Sequence, residues 1–226
     1  MTQVSEALPI FPLNTVLFPD VTLPLHIFED RYRALVTTLL DIPEEPARVF
    51  GIVAIREGYE VGTRGVHSVQ RVGCSAQLTS VHRYDDGRFD IEVVGRQRMR
   101  IDALDTGREF LVGEVAWLDE TAGDNAVEAA AKAMMMYDVY RSLLVETRGD
   151  DVLPSGDLPL DPTRMSYRLA ATCLLTQQDR QSLLECDDAA DRLRLATAMM
   201  RAELSAMRAI PSLPATEVAR TGWSPN

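Results

Sequence analysis

Residues Leu8 to Tyr32 read LPIFPLNTVLFPDVTLPLHIFEDRY. Four prolines, Pro9, Pro12, Pro19 and Pro24, interrupt the segment at short intervals. Proline donates no backbone hydrogen bond and is tolerated in sheets only at edges, bulges and strand starts. Between the prolines nearly every residue is Leu, Ile, Val or Phe, so both faces are expected to be buried. From His26 onward the apolar alternation gives way to helical spacing through Ile27, Phe28, Glu29, Asp30, Arg31 and Tyr32. A continuous ladder strand is excluded. The stretch reads as a spine that crosses a small β-barrel and then feeds a helix against it.

Working outward, Phe28–Leu40 is predicted as an amphipathic helix, with Phe28, Tyr32, Leu35 and Leu39 on one face. Residues 49–55, VFGIVAI, form a buried strand, and residues 57–65 a glycine-containing loop. A strand over residues 66–81 is predicted to break at Gly73. A hairpin then turns at Asp85-Asp86-Gly87. Gly95 is expected to break the next strand, and strands follow over 96–104 and 110–118. Short strands at this spacing indicate a barrel or sandwich-like lobe over residues 6–118. The polar run DETAGDN, residues 119–125, marks a lobe boundary. Beyond it the period becomes 3.6, with Val127, Ala130, Met134, Tyr137 and Leu144 on one helix face. Asp161-Pro162 supplies an N-cap and a first-turn proline, and Thr176–Asp179 a capping box. The last helix, 188–210, turns Leu193, Ala196, Met200, Leu204 and Met207 inward. A helical lobe thus spans 119–210, and 211–226 is expected to be a flexible tail.

The ordered pieces Pro9-x-Phe11-Pro12-Leu13, Leu17-Phe18-Pro19 and Pro24-Leu25-His26-Ile27-Phe28-Glu29-x-Arg31-Tyr32 carry a resemblance. So do Val72-Gly73, Gln181-Ser182-Leu183-Leu184-Glu185 and Asp191-Arg192-Leu193. Over residues 6–207 the chain resembles the Lon N-terminal, or Lon substrate-binding, domain family. The resemblance implies an α+β fold: a PUA-like β-barrel lobe followed by a helical lobe. It departs at Arg98-Met99, where the family pattern has Arg-Phe, so no role is assigned to that aromatic position.

Composition bounds the chemistry. With 226 residues, 46% of them hydrophobic and 25% charged, the chain can bury one large core or two small ones. No apolar run approaches the roughly 20 residues of a membrane helix. The opening MTQVSEALPIF has no basic n-region, so no signal peptide is expected and a cytoplasmic protein is. Cys74, Cys173 and Cys186 are odd in number and far apart, outside any zinc-type spacing. Buried reduced thiols are expected, and neither metal nor cofactor.

Net charge is −11, and residues 1–118 hold 12 basic against 17 acidic side chains. Nucleic-acid affinity comes from Lys and Arg neutralising phosphates, so RNA is not the expected partner. Lys132, the single lysine, sits in a helical alanine stretch, which excludes a GxxxxGK[ST] phosphate loop. One lysine cannot serve both an ATPase loop and a Ser–Lys dyad, and this length has no room for either module. The chain by itself is not expected to be an enzyme.

Each candidate residue has a functional and a plainer reading. His26 is a general base or ligand, or a packed histidine bonded to backbone. His67 and His82 read as surface residues; pairing of either with Cys74 would make a nucleophile and base. Glu29 and Arg31, at i and i+2 of the first helix, are not expected to face each other. They either bind a partner or fix the barrel–helix joint. Arg96, Arg98 and Arg100 share a strand face, as a basic patch or as a solvated face paired with acids such as Asp90, Glu92, Asp102 or Glu114. The methionines at 134–136, 199, 200 and 207 are mostly core, with Met135 and Met199 left over to line a groove. His26, Phe28, Glu29, Arg31, Tyr32, Arg98, Met135 and Met199 are therefore the candidate partner-binding residues, and no catalytic or metal residue is named. The resemblance implies a non-catalytic module that binds unfolded or degron-bearing polypeptide, or a protein partner, through a cleft between the lobes. It would act as an adaptor or regulator in protein quality control. The alternatives are a PUA-like RNA-binding module and a hydrolase with an unrecognised site.

Overall fold

A computed structural model of the protein describes residues 6–58, 66–148, 153 and 158–209. They form seven strands and five helices: β1 Glu6–Leu13, β2 Thr22–Ile27, α1 Asp30–Leu40, β3 Val49–Gly58, β4 Val66–Val69, β5 Val72–Arg83, β6 Phe89–Asp105, β7 Leu111–Trp117, α2 Ala126–Arg148, α3 Pro162–Thr172, α4 Gln177–Glu185 and α5 Ala189–Ala209. The chain divides into two compact units, one up to Asp119 and one from Glu120. The expected α+β architecture, a β-barrel followed by helices, is present.

In the first unit five strands close a barrel in the order β1–β7–β6–β5–β3, and β3 runs back parallel to β1. The spine explains its prolines. Residues 6–10 of β1 pair with β7 and residues 10–13 with β3, so Pro9 and Pro12 each have a strand on one side only. Pro24 lies on β2, which pairs with β6 alone. A missing donor is tolerated at such places. Both faces of β1 are buried. Leu8 and Ile10 enter a core with Val53, Met99, Ile101 and Val115. Phe11 and Leu13 enter another with Ile27, Phe50, Ile91 and the inward face of α1. That face is Tyr32, Leu35, Val36 and Leu39, and each large apolar side chain buried there contributes roughly 1.5–3 kcal/mol.

Three sequence expectations are corrected here. The first helix begins at Asp30, not Phe28, because Glu29 is still extended and serves as N-cap. The predicted break at Gly73 is a continuous strand; the break falls at residues 70–71. A Cβ at 73 would run into the Ile52 carbonyl, so glycine is there to let β5 lie against β3. Gly95 likewise leaves β6 unbroken over 17 residues. The Phe18–Val21 turn seats on it: Asp20 N donates to Gly95 O and Gly95 N to Val21 O, both 2.9 Å. The expected hairpin turn holds, with Gly87 at φ +83°. The predicted loop at 57–65 lies largely outside the described residues, as does the 211–226 tail.

In the second unit α5 is the element on which α2, α3 and α4 pack. Both predicted caps form: Asp161 accepts from Arg164 N, and Thr176 and Asp179 make a reciprocal capping box. The core face of α5 is as expected at Leu193, Ala196, Met200 and Leu204, with Met207 half-buried. On α2 the expected face holds at Ala130, Tyr137 and Leu144 but not at Val127 and Met134. Ala126, Ala129, Ala130, Ala133, Tyr137, Tyr140 and Leu144 are buried, whereas Val127 is 77% and Met134 38% exposed. Small alanines, rather than the larger apolar side chains, let α2 approach its neighbours. Arg192, with no exposed surface, donates to Leu183 O (3.0 Å) and Ser166 Oγ (2.9 Å) and stacks over the Tyr167 ring.

Candidate functional site

The residues singled out around the end of β2 come together. His26 is half-buried, and its Nδ1 lies 2.5 Å from Asp90 Oδ1 on β6. A carboxylate can only accept, so Nδ1 carries the hydrogen. Arg88 Nη1 faces the other ring nitrogen at 3.4 Å. The Tyr84 hydroxyl donates to Asp90 Oδ2 at 2.5 Å, and His82 meets the Tyr84 ring edge-on at 4.8 Å between centroids. Asp90 sits opposite His26 on one side and His82 on the other. These hydrogen bonds hold the Asp90 carboxyl below the usual aspartate range, Tyr84 contributing most and His26 next. The same bond raises the Tyr84 phenol. With one histidine nitrogen held by a carboxylate and the other faced by a guanidinium, the arrangement ties β2 to β6 and to the Tyr84–Arg88 hairpin turn.

Phe28, half-buried, stacks beside His26 at 6.2 Å. Glu29 and Arg31 do face each other, against the expectation, at 3.1 Å. The helical spacing rule fails because Glu29 precedes the helix. Arg31 also lies over the Tyr32 ring, 4.5 Å from its centroid. Tyr32 is 1% exposed and stacks on Phe11 at 3.9 Å. It belongs to the core rather than to a contact surface.

The other candidates lie apart. Arg98 is not on a solvated strand face: it is 2% exposed, with a guanidinium nitrogen 3.4 Å from Asp119 O. A register shift falls between Gly95 and Arg98, so Arg96 is out of phase with Arg98 and Arg100, and with Arg98 buried the three arginines do not form one patch. Arg96 donates to Gln77, and Arg100 pairs with Asp102 at 2.9 Å. Met135, on α2, is 62% exposed; Met199, on α5, is half-buried. Cys74 is buried and eight residues from His82 along β5, about 26 Å at strand rise, so they form no pair. The His67 side chain lies outside the described residues. Cys173 is buried, its thiol pushed up to about 12 by desolvation, and Cys186 is partly exposed. Among the described residues no group of three or more His, Cys, Asp or Glu is placed to hold a metal ion. None of their helices is long and apolar enough to cross a membrane.

Sequence reasoning missed Tyr84 and Arg88, and offered Asp90 only as a partner for the strand arginines, whereas it bonds His26 and Tyr84. The hairpin turn was a usable signal, since it puts His82 opposite Asp90. The His26 partnership spans 64 residues and has no local signature.

A family model described as the ATP-dependent protease La (LON) substrate-binding domain matches residues 7–202. The chain belongs to the Lon substrate-binding domain family. Lon protease of Escherichia coli K12 is 26% identical over 204 residues, 89% of this chain and 25% of that protein. Lon protease 2 of Syntrophobacter fumaroxidans is 26% identical over 214 residues, covering 88% and 25%. The chain therefore spans about a quarter of the length of these Lon relatives. The crystal structure of a Lon N-terminal domain protein from Xanthomonas campestris superposes with a TM-score of 0.63 at 26% identity. It covers 85% of this chain and 98% of that one. The N-terminal domain of Mycobacterium avium complex Lon protease, at 20% identity and TM-score 0.63, shares the fold. What is matched is the Lon substrate-binding domain; the match takes in neither the ATPase nor the protease domain.

Proposed function

We propose that this chain recognises polypeptide without catalysing its cleavage, as an adaptor or regulator in cytoplasmic protein quality control. The observation that carries this reading is the match to a substrate-binding domain over residues 7–202. Two features of the chain support it. The histidine nearest to a catalytic arrangement, His26, is tied at both ring nitrogens. Exposed apolar side chains, Met135 at 62% and Val139 at 46%, offer flexible and rigid contacts one turn apart on α2. Phe28, His26 and the Glu29–Arg31 pair add a half-buried aromatic and charged surface on the barrel unit.

Fluorescence anisotropy with labelled, reduced and carboxymethylated lactalbumin, an unfolded chain, tests the reading at two salt concentrations. Labelled single-stranded RNA runs in parallel. Saturable polypeptide binding with a shallow salt dependence is expected. RNA binding that falls steeply with salt, and no polypeptide binding, would overturn it.

A further inference from the structure

β5 outruns its neighbour. β3 pairs with it from Val49 opposite Gln77 to Ile52 opposite Cys74, and Leu78 N donating to Arg48 O at 2.9 Å extends that pairing by one bond. β5 continues to Arg83 with β6 as its partner there. Tyr84 N donates to Arg88 O at 2.9 Å, and His82 and Ser80 lie in the same register opposite Asp90 and Glu92. Antiparallel ladders alternate, so Tyr84, His82 and Ser80 turn their main-chain groups toward β6. Val81 and Arg83, out of phase with them, turn their N–H and C=O groups the other way. Among the described residues no hydrogen bond reaches those four groups.

The space beside this edge is hollow. The turn Glu45–Ala47 lies beside the strand, and a cavity of about 270 Å³ is bounded by Glu45, Arg48 and β5 residues including Thr79 and Val81. Arg83 borders a second hollow of about 220 Å³ together with Asp30, Arg33 and Glu109.

We propose that the open edge of β5 from Val81 to Arg83 takes up an extended polypeptide segment as an added strand, in the line that β3 vacates. The inference rests on the polypeptide-recognition reading and supplies its mode. Donors and acceptors alternating at strand spacing are matched by another extended main chain. Pairing of this kind reads backbone rather than sequence, which suits a protein that meets many different unfolded chains. The hollows at either end receive side chains of the added strand. Arg48, Arg83 and Arg33 stand against Glu45, Asp30 and Glu109 along the rim, so ligand charge matters little. The edge is short and ends in a charged arginine, a device that discourages two copies from joining edge to edge.

Amide-resolved hydrogen exchange of the full chain, with and without carboxymethylated lactalbumin, is the test. The Val81 and Arg83 amides should slow at least tenfold when the polypeptide is bound. Val81→Pro removes one edge donor at a position where proline is tolerated. It should weaken anisotropy-measured binding about tenfold with an unchanged far-UV spectrum. Should that variant misfold, the wild-type exchange pattern decides. Binding without slowing at these amides overturns the edge and leaves polypeptide recognition standing. No binding at all removes both. Slowing that rises with protein concentration alone assigns the edge to a second copy and overturns the proposal.

Discussion

Asp90 is the residue on which three strands agree, bonded to His26 of β2 and followed at 2.5 Å by Tyr84 from the end of β5. Its folded-state pKa is depressed, so its contribution to stability is complete above the ordinary aspartate value near 4 and is lost as pH falls through the depressed value. Its side chain is 42% exposed, so salt trims the effect. Asp90→Asn should flatten the dependence of melting temperature on pH below about 4, as read by thermal melts in a pH series. Arg192 is the opposite case, a charge with no exposed surface. It satisfies Leu183 O, Ser166 Oγ and Cys186 O, and Glu120 lies 3.7 Å away. Arg192→Ala should cost about 3–5 kcal/mol in urea unfolding, through a cavity and orphaned buried acceptors. Neither role was legible beforehand. The His26–Asp90 contact joins distant strands, and the Asp191-Arg192-Leu193 motif gave no sign that its arginine is a keystone.

Elements were legible where their signals are local. The caps at Asp161 and Thr176 lie within four residues of the groups they satisfy and were readable from residue types alone. Asp161→Ala should cost about 1 kcal/mol, measured by chemical denaturation. Glycine misled because it has two uses. At Gly73 and Gly95 the missing side chain admits another piece of backbone and leaves the strand intact. Gly73→Ala should therefore destabilise by about 1–3 kcal/mol while the strand persists, as a lower melting temperature with a native-like far-UV spectrum would show. In α2 Ala130, Tyr137 and Leu144 face inward as expected, whereas Val127 and Met134 do not. Alanine carries little hydropathic signal, yet Ala126, Ala129 and Ala133 are buried there.

At the scale of the whole chain, the PUA-like barrel and the helical unit followed from a long ordered motif, and the family match bears that out. The candidate surface was less legible: His26 to Glu29 and Arg31 cluster, while Arg98 and Tyr32 are interior. A chain lacking residues 1–13 loses the strand that joins β7 to β3, and its barrel unit should show no cooperative melt by calorimetry. That joining strand also sets a clock. Glu6 pairs with Val115, so during synthesis β1 waits for its partner while more than a hundred residues are added, roughly 5–20 s at ordinary elongation rates. Throughout that interval Leu8 and Ile10 still lack Val115 of their native core. A protein proposed to greet unfolded chains begins life as one, and this apolar strand is among the stickiest segments it will ever expose.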